Sequence, residues 1–413
     1  MNESYPMLSV EEALDRVLKV FRPLPPERRP ILEALGQVLA EDICAGMDIP
    51  PLANSAMDGY AVRCDDTSEA SSEQPRRLRV VADLAAGYVL DAPIRPGTAV
   101  RIMTGAPVPP GAEAVIPFEE VERDGDEILV FRQYPHLKNI RAAGEDVRAG
   151  QMVLAQGTVL RPQEIGMLAA LGHQEALVHR RPRVAILSTG DEVIAVDAPW
   201  QPGKIRDANS YSNAAQVLRY GGVPLRLGIA RDDVADLTAK IRAGLAQGAD
   251  LFLTSGGVSV GDFDVVKKVL AAEGEMSFWR VCMKPGKPLA FGHIHGVPLL
   301  GLPGNPVSAM VAFEIFARPA ILKMLGKTRL EKPTVEAVLL DEIKRKDDRR
   351  HYLRVSLEKH DGAYYARLTG DQGSGILLSM VRAQGLAIIP EDVHHLPAGS
   401  RVRVMMLDWP EHI

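Results

Sequence analysis

From Arg183 to Leu325, aliphatic and β-branched runs alternate with helical patterns, and few architectures accommodate such a series. The strand VAILSTG (Val184–Gly190) precedes helix Ser210–Tyr220, strand Leu225–Ile229, helix Val234–Leu245, strand Leu251–Ser255 and helix Phe263–Ala272. Strands Phe278–Val281, Leu289–Phe291 and Val297–Gly301 follow, then helix Pro306–Leu325. Repeated β-α units predict a doubly wound, mainly parallel sheet with helices on both faces. Ligands of such sheets bind at the carboxyl ends of the strands. STGDEV, TSGGVSVGDFD and PGNPVS all fall there.

The flanking segments read differently. Ser9 and Glu12 form a capping box ahead of an amphipathic helix carrying Val10, Leu14, Val17, Leu18 and Phe21, which Pro23, Pro25 and Pro26 end. A second helical run is expected over Ile31–Leu39. From Asn54 to about Asn139 the pattern changes to short strands at Leu78–Ala82, Thr98–Met103, Ala114–Pro117 and Glu127–Phe131, with a polar loop at Ser68–Arg77. Strand, turn and helix then return, with Pro162 at the first position of helix Gln163–Leu171. After Gly326 strands alone follow. The expected architecture is multidomain: a discontinuous helical/β domain (1–53 and 140–180), an inserted all-β domain (54–139), the α/β domain (181–326) and a C-terminal β-barrel-like domain (327–413).

At 413 residues, 46% hydrophobic and 24% charged, the composition is that of a soluble globular protein with several domains. A net charge of −5 gives no footprint for nucleic acid or anionic membranes. The acidic N-terminus has no signal-peptide h-region, and the most apolar stretch, Val297–Phe316, is interrupted by Pro303, Gly304, Asn305 and Pro306. Cys44, Cys64 and Cys282 are few and far apart, as in a reduced cytoplasmic protein. The histidines show no zinc spacing; His293 and His295 flank an expected hairpin turn, and His394–His395 read as solvent-facing.

Three loops in the α/β region are suited to oxyanions. The first contains Ser255, Gly256, Gly257, Ser259 and Gly261, so that backbone N–H groups can approach a phosphate closely. The second, KPGKP, sets Lys284 and Lys287 on a stiffened turn before Pro288. The third, GLPGNPVSAM, offers Pro303, Asn305 as an N-cap, Pro306 at the first helical position, and Ser308 in the first turn. Two unit charges ~4 Å apart attract by about 4 kcal/mol at an effective dielectric near 20, so two lysines matter for a dianion. Asp191, Glu192, Asp232, Asp262 and Asp264 all follow strands of the same unit. Asp232 and Asp262 either cap the following helices or bind a cation; Glu192, after a glycine turn, is less easily a cap. In the other half, Asp58 of MDGY either bonds its own backbone in a tight turn, with Gly59 at positive φ, or has a functional role. Thr104 before Gly105 poses the same choice, and Asp146 of GEDV is a third acidic candidate.

Taken in order, NSAMDGYAV, RIMTGAPVPPGAEAV, IRAAGEDV, STGDEV, DANS, TSGGVSVGDFD, KPGKP and GLPGNPVSAM resemble the molybdopterin molybdenumtransferase family, which includes the E domain of gephyrin. QGSG (Gln372–Gly375) is a shorter match, and Glu113 stands where the family often has aspartate. The resemblance covers nearly the whole chain. It implies insertion of molybdate into the dithiolene of adenylylated molybdopterin, with Mg²⁺-dependent loss of AMP, by an elongated homodimer. It further implies that Lys284, Lys287, Pro288 and Ser308 line the molybdate site, joined by Arg354 and Ser374 from the last domain. Arg349 and Arg350 compete with Arg354 for that assignment. Glu192 and Asp264 would belong to the nucleotide–metal site. Asp58 and Thr104 of one subunit would face Glu192, Lys284 and Lys287 of its partner. Two alternatives stand beside this reading. A pterin adenylyltransferase or pyridine-nucleotide amidase on the same α/β unit would not need NSAMDGYAV or RIMTGAP. A gephyrin-like scaffold would be expected to carry a long disordered linker or an exposed apolar groove, and the sequence has neither.

Overall fold

The strand Arg183–Thr189 is apolar on both faces, and this decides the layering around it. Val184 and Ile186 point into one core with Leu251, Leu253, Leu300 and Leu302, while Ala185 and Leu187 point into another with Phe252 and Leu299. Successive strand residues face opposite sides, so a continuous apolar run requires cover on both. The computed structural model describes residues 6–231, 233–256 and 274–408. They form two compact units. One runs to Ala40, takes in Val159–Arg161 and resumes at Glu175; the other comprises Glu41–Thr158 and Pro162–Gln174.

In the first unit a seven-stranded sheet contains β1 (Met7–Leu8), β2 (Arg183–Thr189), β3 (Val223–Ala230), β4 (Leu251–Ser255), β5 (Gly274–Val281), β6 (Pro288–Ile294) and β7 (Val297–Leu302), in the order β1-β5-β6-β7-β4-β2-β3. Its β7-β4-β2-β3 half is parallel, as the alternation predicts, whereas β5, β6 and β7 pair antiparallel. The β6–β7 turn is two residues, His295 and Gly296, both at positive φ as a type I′ hairpin requires. Helix α1 (Val10–Val20) has the expected capping box: Ser9 Oγ accepts from Glu12 N–H at 3.1 Å, and the Glu12 carboxylate accepts from Ser9 N–H at 3.1 Å. It packs in one core with α2 (Asn209–Arg219) and with the helical segments Pro306–Ala312 and Arg318–Met324. Helix α3 (Val234–Ala246) covers the opposite face through Leu237 and Ile241. The expected helix Phe263–Ala272 lies outside the described residues.

The helix expected over Ile31–Leu39 does not form. Strand Pro26–Pro30 pairs with Glu175–His179, a single turn follows, and Gly36 at φ 79° donates to Leu160 O. Leu32 is 79% exposed, so the apolar spacing there is not a buried face. The helix expected from Pro306 is interrupted: α4 (Pro306–Ala312) and α5 (Arg318–Met324) are joined by a π-helical turn, Phe313–Ala317. That turn carries Glu314, whose buried carboxylate receives Lys332 Nζ at 2.5 Å, Tyr220 Oη at 2.8 Å and Gln216 Nε2 at 3.0 Å. Burial outweighs the attraction of Glu314 and pushes the Lys332 ammonium down, while burial and Glu314 together push the Tyr220 phenol far up. Beyond it, β8 (Thr334–Leu339), β9 (Arg350–His360), β10 (Ala363–Leu368), β11 (Gly385–Ile389) and β12 (Arg401–Met406) close a five-stranded barrel in the order β9-β10-β8-β12-β11, with β11 returning to β9. Met283–Lys284 pairs in parallel with its residues Arg350–His351.

The second unit holds a six-stranded sheet that includes Gly59–Val62, Arg76–Leu84, Thr98–Ile102, Ala114–Pro117 and Glu127–Val130. Tyr60, Val62, Ala114 and Ile116 face one core, and Ala61, Val100 and Val115 face the other. Gly59 is not at positive φ; a Cβ there would lie 2.0 Å from Ile116 O, so close approach of the paired strand requires the glycine. Among the described residues no helix is long and apolar enough to cross a membrane.

Removing one member of a buried ion pair strands the other charge, at about 3–5 kcal/mol, whereas replacing both by apolar groups is often neutral. Glu314→Leu should therefore destabilise the first unit by about that amount in denaturant melts, and Glu314→Leu/Lys332→Met should recover most of it. A double variant as unstable as the single would show that the pair is not what matters.

Candidate active site

The carboxyl ends of β2, β4 and β7 lie side by side in the sheet, and a buried carboxylate ties that of β2 to the start of α2. Asp207, 4% exposed, accepts from Ser188 Oγ at 2.7 Å, Ser210 N–H at 3.0 Å and Ser210 Oγ at 2.5 Å. Ser188 Oγ in turn lies 3.3 Å from Ser255 Oγ on β4. Gly256 N–H donates to Leu302 O at 3.2 Å, tying the end of β4 to that of β7. Gly256 adopts φ 91°, and a Cβ there would sit 2.9 Å from Thr189 O. Asn209 Nδ2 donates to Gly304 O at 2.7 Å, between the buried Pro303 and the exposed Asn305. STG, DANS, TSG and PGN thus meet at one end of the sheet, where ligands of parallel α/β sheets bind. Asp207 carries this convergence, and its signal was an aspartate three residues before serine at a helix start.

The lysine turn reaches the same helix start. Val281 N–H donates to Lys287 O at 2.7 Å, and Gly286, at φ 102°, lies so that a Cβ would meet Ser308 O at 3.7 Å. Lys284 is exposed, Lys287 and Pro288 half-buried, and Ser308 buried. Lys284 Nζ lies 3.4 Å from the Asp347 carboxylate. Although burial opposes ionisation of Asp347, hydrogen bonds from Arg349 and His351 hold its carboxyl far below the usual range. Asp347, an acid inside the basic run KRKDDRR, is a neighbour of Lys284 that sequence reasoning missed.

Asn305 occupies the N-cap position, with Pro306 beginning α4, but its side chain does not cap. Asn305 Nδ2 instead donates to Ser374 Oγ at 2.9 Å, and Val307 N–H donates to Ser374 O at 3.1 Å. The QGSG loop of the barrel therefore sits on the start of α4. Arg354 is 1% exposed and holds that loop from behind: its guanidinium donates to Gly373 O at 3.0 Å, Asp371 O at 3.3 Å and Ser379 Oγ at 3.0 Å. Burial pushes this guanidinium down to about 10. Of its sequence competitors, Arg349 pairs with Asp347, and Arg350 with Glu11 and Glu391.

Glu192 is exposed beyond β2, with its carboxylate folded against Gly190, whose Cβ would lie 2.5 Å from it. An exposed hard carboxylate at a strand end fits a magnesium ion that keeps most of its waters. Among the described residues Glu192 belongs to no group of three His, Cys, Asp or Glu side chains. Gly257, Ser259, Asp232, Asp262 and Asp264 lie outside the described residues.

In the second unit Asp58 does not bond its own backbone. Its Oδ1 accepts Thr104 N–H at 2.7 Å and Thr104 Oγ1 at 2.8 Å, across 46 residues of sequence. Those two bonds hold the exposed Asp58 carboxyl below the ordinary range. Asp146 is exposed, and its N–H donates to Ile49 O at 3.0 Å. A depressed carboxyl contributes stability above its ordinary pKa, and loses it as pH falls through the folded value. Thr104→Val removes the hydroxyl donor and should move the Asp58 titration, followed by NMR, upward toward the ordinary aspartate value. An unshifted titration would show that the hydroxyl does not hold the charge.

Comparison with known proteins places these motifs. Residues 8–172 match the MoeA N-terminal region (domain I and II), 185–323 a probable molybdopterin binding domain, and 336–407 the MoeA C-terminal region (domain IV). Molybdopterin molybdenumtransferase 2 of Mycobacterium tuberculosis is 39% identical over 404 residues, covering 96% of this chain and 99% of its own. Molybdopterin molybdenumtransferase of Bacillus subtilis is 33% identical, covering 99% and 98%. The molybdopterin biosynthesis MoeA protein of Pyrococcus horikoshii superposes with a TM-score of 0.80 at 33% identity, covering 97% of this chain and 100% of its own. On sequence, on fold and along its whole length, the chain belongs to the molybdopterin molybdenumtransferase family of molybdenum cofactor biosynthesis.

Proposed function

We propose that the chain inserts molybdate into the dithiolene of adenylylated molybdopterin, releasing AMP in a Mg²⁺-dependent reaction, as a cytoplasmic homodimer whose site is shared between subunits. The observation that carries this reading is the meeting of the lysine turn, Ser308 and the Ser374 loop at the start of α4, beside the glycine loops that end β4 and β7. A tetrahedral dianion needs point charges and N–H or O–H donors in a fixed array. Lys284 and Lys287 supply the charges, and Ser308 and Ser374 the hydroxyls. Buried Arg354 orients Ser374 by fixing the carbonyl of Gly373.

Cleaving the phosphoric anhydride of an adenylylated substrate develops negative charge on the leaving AMP. A bound Mg²⁺ would supply charge neutralisation there, and Glu192 is the described carboxylate suited to hold it, with Asp232, Asp262 and Asp264 as further candidates. Gly256 allows backbone to approach the substrate's phosphate. Asp58, ionised and fixed by Thr104, is a base or a second carboxylate for the site, offered by the partner subunit.

Lys287→Ala should raise the molybdate concentration needed for half-maximal AMP release about a hundredfold, the equivalent of ~2.8 kcal/mol, and so be nearly inactive at the wild-type half-saturating concentration. Glu192→Gln should lower turnover steeply with less change in nucleotide affinity. Saturation of Lys287→Ala at the wild-type molybdate concentration would remove that lysine from the site. Asp58→Ala and Lys287→Ala, each nearly inactive alone, should recover about a quarter of wild-type activity after random subunit exchange. No recovery after demonstrated exchange would confine the site to one chain.

A further inference from the structure

Three side chains from separate segments of the second unit converge just beyond strand Gly59–Val62. The Cys64 thiol, the Glu113 carboxylate and a His136 ring nitrogen each offer one ligand atom, all within 4.8 Å of one another. Their backbones are tied together. Glu113 N–H donates to Val62 O at 2.8 Å, and Leu137 N–H, next to His136, donates to Glu113 O at 2.7 Å. Cys64 N–H donates to Glu113 Oε2 at 2.9 Å. Behind them, Thr67 N–H donates to Cys64 O at 3.0 Å, and Thr67 Oγ1 accepts Tyr134 N–H at 3.1 Å.

We propose that Cys64, Glu113 and His136 bind a divalent d-block cation of the zinc class, with a further coordination position open to solvent. The donor set carries the choice of metal. One thiol, one imidazole and one carboxylate suit a borderline cation, whereas Mg²⁺ and Ca²⁺ require mostly oxygen. Metal–ligand bonds of about 2.0–2.3 Å put tetrahedral ligand atoms about 3.3–3.8 Å apart. The group needs to contract by up to about 1.5 Å, and the exposed His136 ring is the least confined of the three. Glu113 is held by the Cys64 amide through one oxygen, leaving its second oxygen for the cation, an outer hydrogen bond of the kind that orients metal carboxylates. Binding exchanges the thiol proton, released to solvent, for the metal. The result is a clip joining three segments 49 and 23 residues apart in the chain.

The test uses the full chain with Cys44→Ser and Cys282→Ser, which removes the two other free thiols. Titration with Co²⁺ should give a near-ultraviolet thiolate charge-transfer band that saturates at one equivalent and is displaced by Zn²⁺. Adding Cys64→Ser should abolish the band. His136→Ala, at an exposed position, should weaken binding about tenfold or more with an unchanged circular-dichroism spectrum, and Glu113→Gln should do likewise. Absence of the band, its survival in the Cys64→Ser protein, or undiminished affinity in a folded His136→Ala protein would each overturn the proposal.

Discussion

Everything at the candidate site hangs on one buried carboxylate. Asp207 is buried and finds its hydrogen bonds in the protein. It finds them in Ser188 at the end of β2 and Ser210 at the start of α2. Through Ser255 the same web reaches β4, and through Asn209 it reaches the loop after β7. The ladder sets the strand ends level, with Ser188 beside Ser255 and Ser255 beside Leu302, so the glycine loops share one edge, and the lysine turn and barrel loop meet the start of α4.

The charges around that edge are balanced loosely. Lys284 is half-exposed beside Asp347, and such pairs contribute about 0–1 kcal/mol. An incoming dianion can therefore take the lysine from Asp347 at little cost. Asp347 itself is held in its ionised form by hydrogen bonds from Arg349 and His351. The Glu314–Lys332 pair behaves in the opposite way. It is buried, and it ties the π-helical turn to the segment that leads into the barrel.

Much of this was legible in the sequence where burial imposes a period. Strands β2 and β4 are buried on both faces and read as continuous apolar runs, and Ser9 with Glu12 announces α1. The loops that end these strands were found because glycine, proline and asparagine have local reasons to be there. What escaped was long-range. Ile31–Leu39 has helical spacing, but Leu32 and Leu35 face solvent and Gly36 turns the chain. Asp58 reads either as a self-satisfied turn or as a functional carboxylate, and its partner lies 46 residues away. Asn305 sits at its N-cap position, yet it spends its amide on Ser374, a residue of the barrel. Local zinc spacing is absent, while Cys64, Glu113 and His136 meet only once the second unit has folded.

The chemistry proposed for this edge of the sheet is a molybdate-dependent release of AMP. The direct measurement supplies purified protein with adenylylated molybdopterin and Mg²⁺, and follows AMP with and without molybdate. The account predicts AMP release that saturates with molybdate and is abolished by a chelator of Mg²⁺. AMP release at the same rate without molybdate, or none with it, would contradict the account.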